Sequence, residues 1–274
     1  MVFDSGLGGL TVLAEVMRLR PDGLFLYAAD DAGFPYGPMS EDALVARVNR
    51  VMQRLIARFM PDLVVIACNT ASTLVLPHLR ARYPAIPFVG TVPAIKPAAA
   101  QSRSQMITVL ATPGTVTRDY THDLVRNYAA HCDVTLVGSD NLAALAEAFM
   151  KGESVDDAAI LAEIAPCFVD KGGARTDCIV LACTHYPLLI GAFERLAPWP
   201  VEWVDPAPAI ARRVDHVLSE NLGLHHEAEP DAAPSGAHAA LFTSGNPPGP
   251  ALAAALKERG LGKIILEPIP LEKV

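Results

Sequence analysis

Asp62-Leu63-Val64-Val65-Ile66-Ala67-Cys68-Asn69-Thr70 and Asp177-Cys178-Ile179-Val180-Leu181-Ala182-Cys183-Thr184-His185 are two versions of one local design. In each, an aspartate precedes a short, unbroken apolar run, and the run ends in cysteine followed by small hydrogen-bonding residues. A continuous apolar run of this length reads as a strand of a parallel sheet buried on both faces. The cysteines are 183 − 68 = 115 residues apart, which suggests two related halves.

Outward from these runs the chain alternates strand and helix. Val2-Phe3 is a short strand ending in Asp4-Ser5-Gly6-Leu7-Gly8-Gly9, and Leu10, Leu13 and Met17 then recur at helical spacing. Ser40 is an N-cap candidate with Glu41 and Asp42 in the first turn. The apolar face behind it comprises Leu44, Val45, Val48, Val51, Met52, Leu55, Ile56 and Phe59, and Pro61 stops the helix. Further strands are expected at residues 88–91, 107–111, 134–137, 178–182, 201–204, 241–243 and 264–266. This alternation predicts an α/β architecture with parallel sheets. Residues 224–238, rich in Pro, Ala, His and Glu, read as an exposed loop.

Composition narrows the function. The 274 residues are 51% hydrophobic, enough for one large or two small cores. With 22 basic and 30 acidic side chains the net charge is −8, which disfavours nucleic acid and anionic membranes as partners. No apolar run approaches the roughly 20 residues of a membrane span. Met1-Val2-Phe3-Asp4 has neither the basic nor the apolar region of a signal peptide. Five scattered cysteines without a Cys-x-x-Cys pair argue against a disulfide framework or zinc site and fit reduced thiols in the cytoplasm.

Ligands of open parallel sheets bind beyond the carboxyl ends of the strands, where Cys68 and Cys183 are expected. A helix beginning just after each thiol would lower its pKa from the usual value of about 8.5 and suit it to acid–base work. The alternative is that both are small buried hydrophobes; matching contexts argue against it. Cys132, Cys167 and Cys178 lack the context and read as structural. Asn69, Thr70, Ser72, Thr184 and Ser5 can bind carboxylates or simply cap helices, while Asp4 or His185 can hold an ammonium group or tune a thiol. His185 can equally be a satisfied structural histidine. The glycines after Ser5 match neither G-x-G-x-x-G nor a Walker loop, so they give no support for a nucleotide cofactor.

The chain resembles the glutamate racemases of the aspartate/glutamate racemase superfamily. The likeness is carried by residues 2–10, Phe34-Pro35-Tyr36-Gly37, Ala67-Cys68-Asn69-Thr70-Ala71-Ser72 and Ala182-Cys183-Thr184-His185-Tyr186-Pro187-Leu188-Leu189. Weaker matches are Thr112-Pro113-Gly114-Thr115-Val116, Leu145-Ala146-Glu147-Ala148, Val204-Asp205 and Phe242-Thr243-Ser244-Gly245. The resemblance implies two flavodoxin-like α/β domains with parallel sheets, related by a pseudo-twofold axis, with the active site in the cleft between them. Residues 1–94 plus 206–274 would form the first domain and 95–205 the second.

It further implies racemisation of glutamate without pyridoxal phosphate or metal, a homodimer, and D-glutamate supply for peptidoglycan. Cys68 would serve D-glutamate and Cys183 L-glutamate, assisted by Asp4 and His185 respectively, with Glu147 as a further assisting carboxylate. Asp4, Ser5, Tyr36, Gly37, Asn69, Thr70, Thr115, Thr184 and His185 match substrate-binding positions. Asp31-Ala32-Gly33 and Val204-Asp205-Pro206 depart from the family pattern. An aspartate or hydantoin racemase, a cysteine-based decarboxylase and a non-catalytic binding protein are the rival readings. The second cysteine counts against the last two, and Thr184-His185-Tyr186-Pro187-Leu188-Leu189 favours glutamate over aspartate.

Overall fold

The computed structural model describes residues 1–225 and 237–271. The exposed loop expected at residues 224–238 therefore lies largely outside the described residues. The chain divides into two compact units, Met1–Thr91 with Ala207–Val274, and Val92–Pro206.

The first unit holds a six-stranded sheet of β1 (Val2–Asp4), β2 (Leu26–Ala29), β3 (Val64–Ile66), β4 (Phe88–Gly90) and, returning after the second unit, β11 (Ala239–Phe242) and β12 (Lys263–Leu266). The second holds β5 (Met106–Ala111), β6 (Asp133–Gly138), β9 (Cys178–Leu181) and β10 (Glu202–Val204), with a two-stranded hairpin of β7 (Asp170–Lys171) and β8 (Ala174–Arg175). The strand orders are β12-β11-β2-β1-β3-β4 and β10-β9-β5-β6, every pair parallel. Among the described residues only the small hairpin is antiparallel, turning through Gly172 and Gly173 at positive φ.

The two units share a plan. Counted within each unit, four neighbouring strands run 2-1-3-4, the flavodoxin-like arrangement. The register is equivalent as well. Ala67 N donates to Phe3 O and Ala182 N to Leu110 O, both at 2.8 Å. Cys68 and Cys183 thus leave the third strand of their units at the same place, and Asp4 in the first unit corresponds to Ala111 in the second.

Side-chain alternation carries both thiols onto apolar faces. Cys68 continues the face of Val64 and Ile66, packed with Val75, Leu79 and Tyr36. Cys183 continues the face of Ile179 and Leu181, with Tyr186 and Phe193. Cys178, Val180 and Ala182 point the other way, into a separate cluster. The helix Glu41–Phe59 starts at Ser40, whose hydroxyl accepts from Ala43 N (3.3 Å), and buries Leu44, Val48, Val51, Met52 and Leu55. Each fully buried side chain of this size is worth about 1.5–3 kcal/mol.

Strand β2 is absent from the sequence-based reading. Its Leu26-Tyr27-Ala28-Ala29 carries little strand propensity; parallel pairing with β1 on one side and β11 on the other imposes the extended form. The aspartate before the second buried run anchors a turn. Asp177 accepts from Ser102 Oγ (2.6 Å), Arg103 N (2.7 Å) and Ser104 N (2.9 Å), fixing the entry to β5.

Burial opposes ionisation of Asp177, but these hydrogen bonds outweigh it and lower its pKa from the ordinary value. A folded pKa below the unfolded one stabilises the fold above the unfolded value of about 3.9, and that stabilisation is lost as pH falls through the folded pKa. Asp177→Asn is therefore expected to destabilise the protein by about 1 kcal/mol at neutral pH. The difference from wild type should shrink in acid, as urea denaturation at several pH values would show.

Candidate active site

The Cys68 half-site is assembled from the ends of β1 and β3. Cys68 is the N-cap of the helix Asn69–Arg82, and its carbonyl receives the first helical bond from Ser72 N (2.8 Å). The amino end of a helix favours negative charge. Ser5 Oγ lies 3.9 Å from Cys68 Sγ and 3.4 Å from Asp4 Oδ1, and Ser5 N donates to the same carboxylate oxygen at 2.7 Å. Asp4, Ser5 and Cys68 thus form a short polar chain in which Ser5 is the middle member. Gly9 permits it, since a Cβ there would lie 2.9 Å from Asp4 Cβ and 3.0 Å from Ala67 Cβ.

Asn69 follows, 3% exposed, with neither its carboxamide nitrogen nor its oxygen hydrogen-bonded among the described residues. A buried amide left unpaired costs about 1–3 kcal/mol, which makes Asn69, beside a thiol, a candidate for binding a ligand. Thr70 is buried next to it. Ser72 serves the fold instead: its hydroxyl donates to Ile66 O (2.7 Å) and accepts from Thr91 N (3.0 Å), tying β3 to β4.

The Cys183 half-site is built differently. The sequence suggests a short polar stretch and then a helix after each cysteine. In the structure a turn follows, then the 3₁₀ segment Tyr186–Leu189, and the α-helix begins only at Ile190. Pro187 is the reason. An α-helical bond to Cys183 O would have to come from residue 187, and proline has no N–H, so Tyr186 N takes that carbonyl at 3.1 Å. Ser72 fills the equivalent position in the first unit and can donate.

In place of a helix end, Cys183 has an imidazole. Cys183 Sγ lies 3.8 Å from His185 Nδ1, and His185 Nε2 lies 2.9 Å from Glu147 Oε1, on the helix Leu142–Met150. Lys151 Nζ stands 3.2 Å from the other carboxylate oxygen. An ionised Glu147 accepts a hydrogen bond from Nε2–H, which fixes the ring proton there and leaves Nδ1 as the acceptor facing the thiol, the logic of a nucleophile–base–carboxylate chain. Ala111, which corresponds to Asp4, supplies no charge here; the His185–Glu147 pair supplies it from other elements. Thr184 is buried beside the thiol. Thr115 is buried at the carboxyl end of the neighbouring strand β5, its hydroxyl 3.0 Å from Thr112 Oγ1.

Among the sequence-derived candidates, Tyr36 stands apart. It is 1% exposed, and its hydroxyl donates to Asp30 Oδ2 at 2.5 Å. Burial, then the Asp30 charge, push the phenol well above its ordinary pKa, so it stays protonated. Gly37 follows at the half-buried rim. The sequence-based reading missed Asp30, Arg47 and Thr243, the remaining members of this buried polar cluster. One signal was available: Arg47 interrupts the apolar face of its helix between Leu44 and Val48, and a cation on a buried face needs a buried anion.

The other cysteines are chemically quiet. Burial pushes the thiols of Cys167 and Cys178 up to about 12, and that of Cys132 above its ordinary value. Among the described residues no group of His, Cys, Asp and Glu is arranged to hold a metal ion, and no helix is long and apolar enough to cross a membrane.

Paired thiols on matching parallel-sheet units are accompanied by similarity across the chain. A profile of the Asp/Glu/Hydantoin racemase family matches residues 11–214, and the chain belongs to that family, as an isomerase of the racemase type. Within it the similarity runs to glutamate racemases. The Brucella ovis glutamate racemase is 60% identical over 218 residues, covering 80% of this chain and 79% of its own. That of Brucella anthropi is 55% identical over 250 residues, covering 90% and 87%. The crystal structure of Escherichia coli glutamate racemase, in complex with L-glutamate and the activator UDP-MurNAc-Ala, superposes with a TM-score of 0.85 at 39% identity over 97% of each chain.

Proposed function

We propose that this protein interconverts L- and D-glutamate by proton transfer between two cysteines, without pyridoxal phosphate or metal. The observation that carries the reading is the equivalence of Cys68 and Cys183: the same exit from the third strand, each with its own polar relay. The glutamate racemase relatives support the choice of substrate.

In the D-to-L direction the Cys68 thiolate takes the α-proton, becoming a thiol, and the electron pair stays on Cα as a carbanion-like species. The Cys183 thiol then gives its proton to the opposite face and becomes the thiolate. From L-glutamate the roles exchange. The α-proton of an amino-acid carboxylate is very weakly acidic, so the site must bind the transition state better than the ground state. Asn69, Ser5, Thr70, Thr115, Thr184 and the main chain at Tyr36–Gly37 are the groups we assign to the substrate's carboxylates. Asp4 and His185 hold or move protons at their respective thiols, and Glu147 sets the imidazole's tautomer.

The same reading takes the two compact units as separate domains, the first discontinuous in sequence. It makes the protein a cytoplasmic homodimer that supplies D-glutamate for peptidoglycan. The test follows circular dichroism of L-glutamate, D-glutamate and L-aspartate in deuterated buffer, with no cofactor added. Both glutamates should lose optical activity and acquire deuterium at Cα while aspartate stays unchanged; glutamates that keep their optical activity would sink the proposal.

A further inference from the structure

The loop 31–37 leaves β2 beside β1, where Asp30 N donates to Asp4 O at 2.8 Å. Under this loop Asp30 is wholly buried and receives four donors. Arg47 supplies Nε (2.8 Å) and Nη2, Tyr36 its hydroxyl (2.5 Å) and Thr243, just beyond β11, its hydroxyl (2.5 Å). Thr243 Oγ1 also accepts from Ala32 N at 3.2 Å. Arg47 Nη1 donates onward to Pro270 O at 3.0 Å. Next in sequence, the Asp31 carboxylate accepts from Ser244 N (2.8 Å) and Ser244 Oγ (2.5 Å). Gly33 completes the fit, since a Cβ there would stand 2.6 Å from Asp30 Oδ2 and 3.0 Å from the Tyr36 ring.

A buried ion pair is a poor source of net stability, because desolvation consumes most of the attraction; apolar side chains of the same volume would serve as well. What such a network does supply is a single geometry. Here the geometry turns the Tyr36 phenol inward and holds both ends of the 31–37 segment on β11's exit.

We infer that Asp30, Arg47 and Thr243 are positioning residues for substrate binding: they pin Tyr36 by its hydroxyl so that the main chain at Tyr36–Gly37, not the phenol, meets the substrate. This rests on the racemase reading, in which that dipeptide contacts glutamate.

Thr243→Val, Thr243→Ser and Tyr36→Phe test it, with amide hydrogen exchange and steady-state kinetics measured on each. Thr243→Val removes the hydroxyl that bonds Asp30 and Ala32 N while leaving the phenol itself unaltered. Beyond Ala32, whose N–H loses its acceptor directly, it should speed exchange of the 33–39 amides while leaving the β3 amides unchanged. It should also raise KM for both enantiomers about tenfold, with kcat within about threefold. Thr243→Ser should restore both, and Tyr36→Phe should act through the same tether, so that the Thr243→Val/Tyr36→Phe double variant is little worse than the worse single one and falls short of the product of the two. Unchanged exchange in both Thr243→Val and Tyr36→Phe overturns the inference. So does a fall in melting temperature with KM unchanged, the mark of a merely structural role. A KM raised by Tyr36→Phe but not by Thr243→Val would make the phenol itself the contact and overturn it too. Failure of the racemase reading is seen separately, as a wild-type protein that racemises neither enantiomer, and the exchange measurement still decides the tether.

Discussion

Cys68→Ser and Cys183→Ser are each expected to lower racemisation at least about 1,000-fold, the range lost when a positioned acid or base is removed. Serine keeps the size and packing of a side chain that is 7% exposed in both half-sites, so the fold should survive. What changes is acidity: a hydroxyl gives up its proton far less readily than a thiol and cannot serve as the base near neutral pH. Because the proposed cycle needs one thiolate and one thiol at once, the two losses should not add, and the double variant should be little worse than either single one. Cys132→Ser is the control and should keep wild-type turnover, since that thiol is held above its ordinary pKa away from both relays. Near-wild-type turnover by either Cys68→Ser or Cys183→Ser, measured by circular dichroism on folded protein, would refute the two-base assignment.

The second large effect concerns the relay behind Cys183. Glu147→Gln should lower kcat by about 10- to 100-fold, and His185→Asn by about 100-fold or more. Glutamine fills the same buried space but carries no charge. Its amide can donate to His185 Nε2, which places the ring proton on Nδ1 and removes the acceptor that faces the thiol at 3.8 Å. Racemisation has an equilibrium constant of one, so kcat/KM must fall equally in both directions and cannot reveal which thiol is impaired. Substrate isotope effects can. With Glu147→Gln, the effect on L-[2-²H]glutamate, whose proton goes to Cys183, should grow more than that on the D-enantiomer. Equal growth from both enantiomers would mean that Glu147 does not act through Cys183.

The two half-sites illustrate how chain chemistry chooses between equivalent solutions. Ser72 and Pro187 occupy the same offset from their cysteines, and that difference decides whether the cysteine is the cap of a 14-residue helix, as Cys68 is, or stands before a turn and a 3₁₀ segment capped by His185, as Cys183 does. Where the helix end is missing, a histidine and a glutamate stand in. Two similar strands therefore carry unlike acid–base surroundings.

Local sequence determined a good deal. Unbroken apolar runs at residues 63–67 and 178–182 announce strands buried on both faces, because only a parallel sheet covered on both sides hides such runs from water. Their cysteines fall at the carboxyl ends because the runs end there. Ser40, the periodic face behind it and Pro61 bound a helix by capping and by the missing proline N–H, all within a few residues. Other features depend on partners far along the chain, and no local period encodes them. Strand β2 is a strand because β1 and β11 flank it. Thr243 reaches Asp30 across 213 residues, and Glu147 reaches His185 across 38. The inward turn of Tyr36 follows from a buried carboxylate after β2 whose cation sits on the helix Glu41–Phe59. A hydrogen bond needs two groups in one place, and only the folded chain brings them together; the sequence specified which thiols stand at the strand ends, and the tertiary structure decided what stands beside each of them.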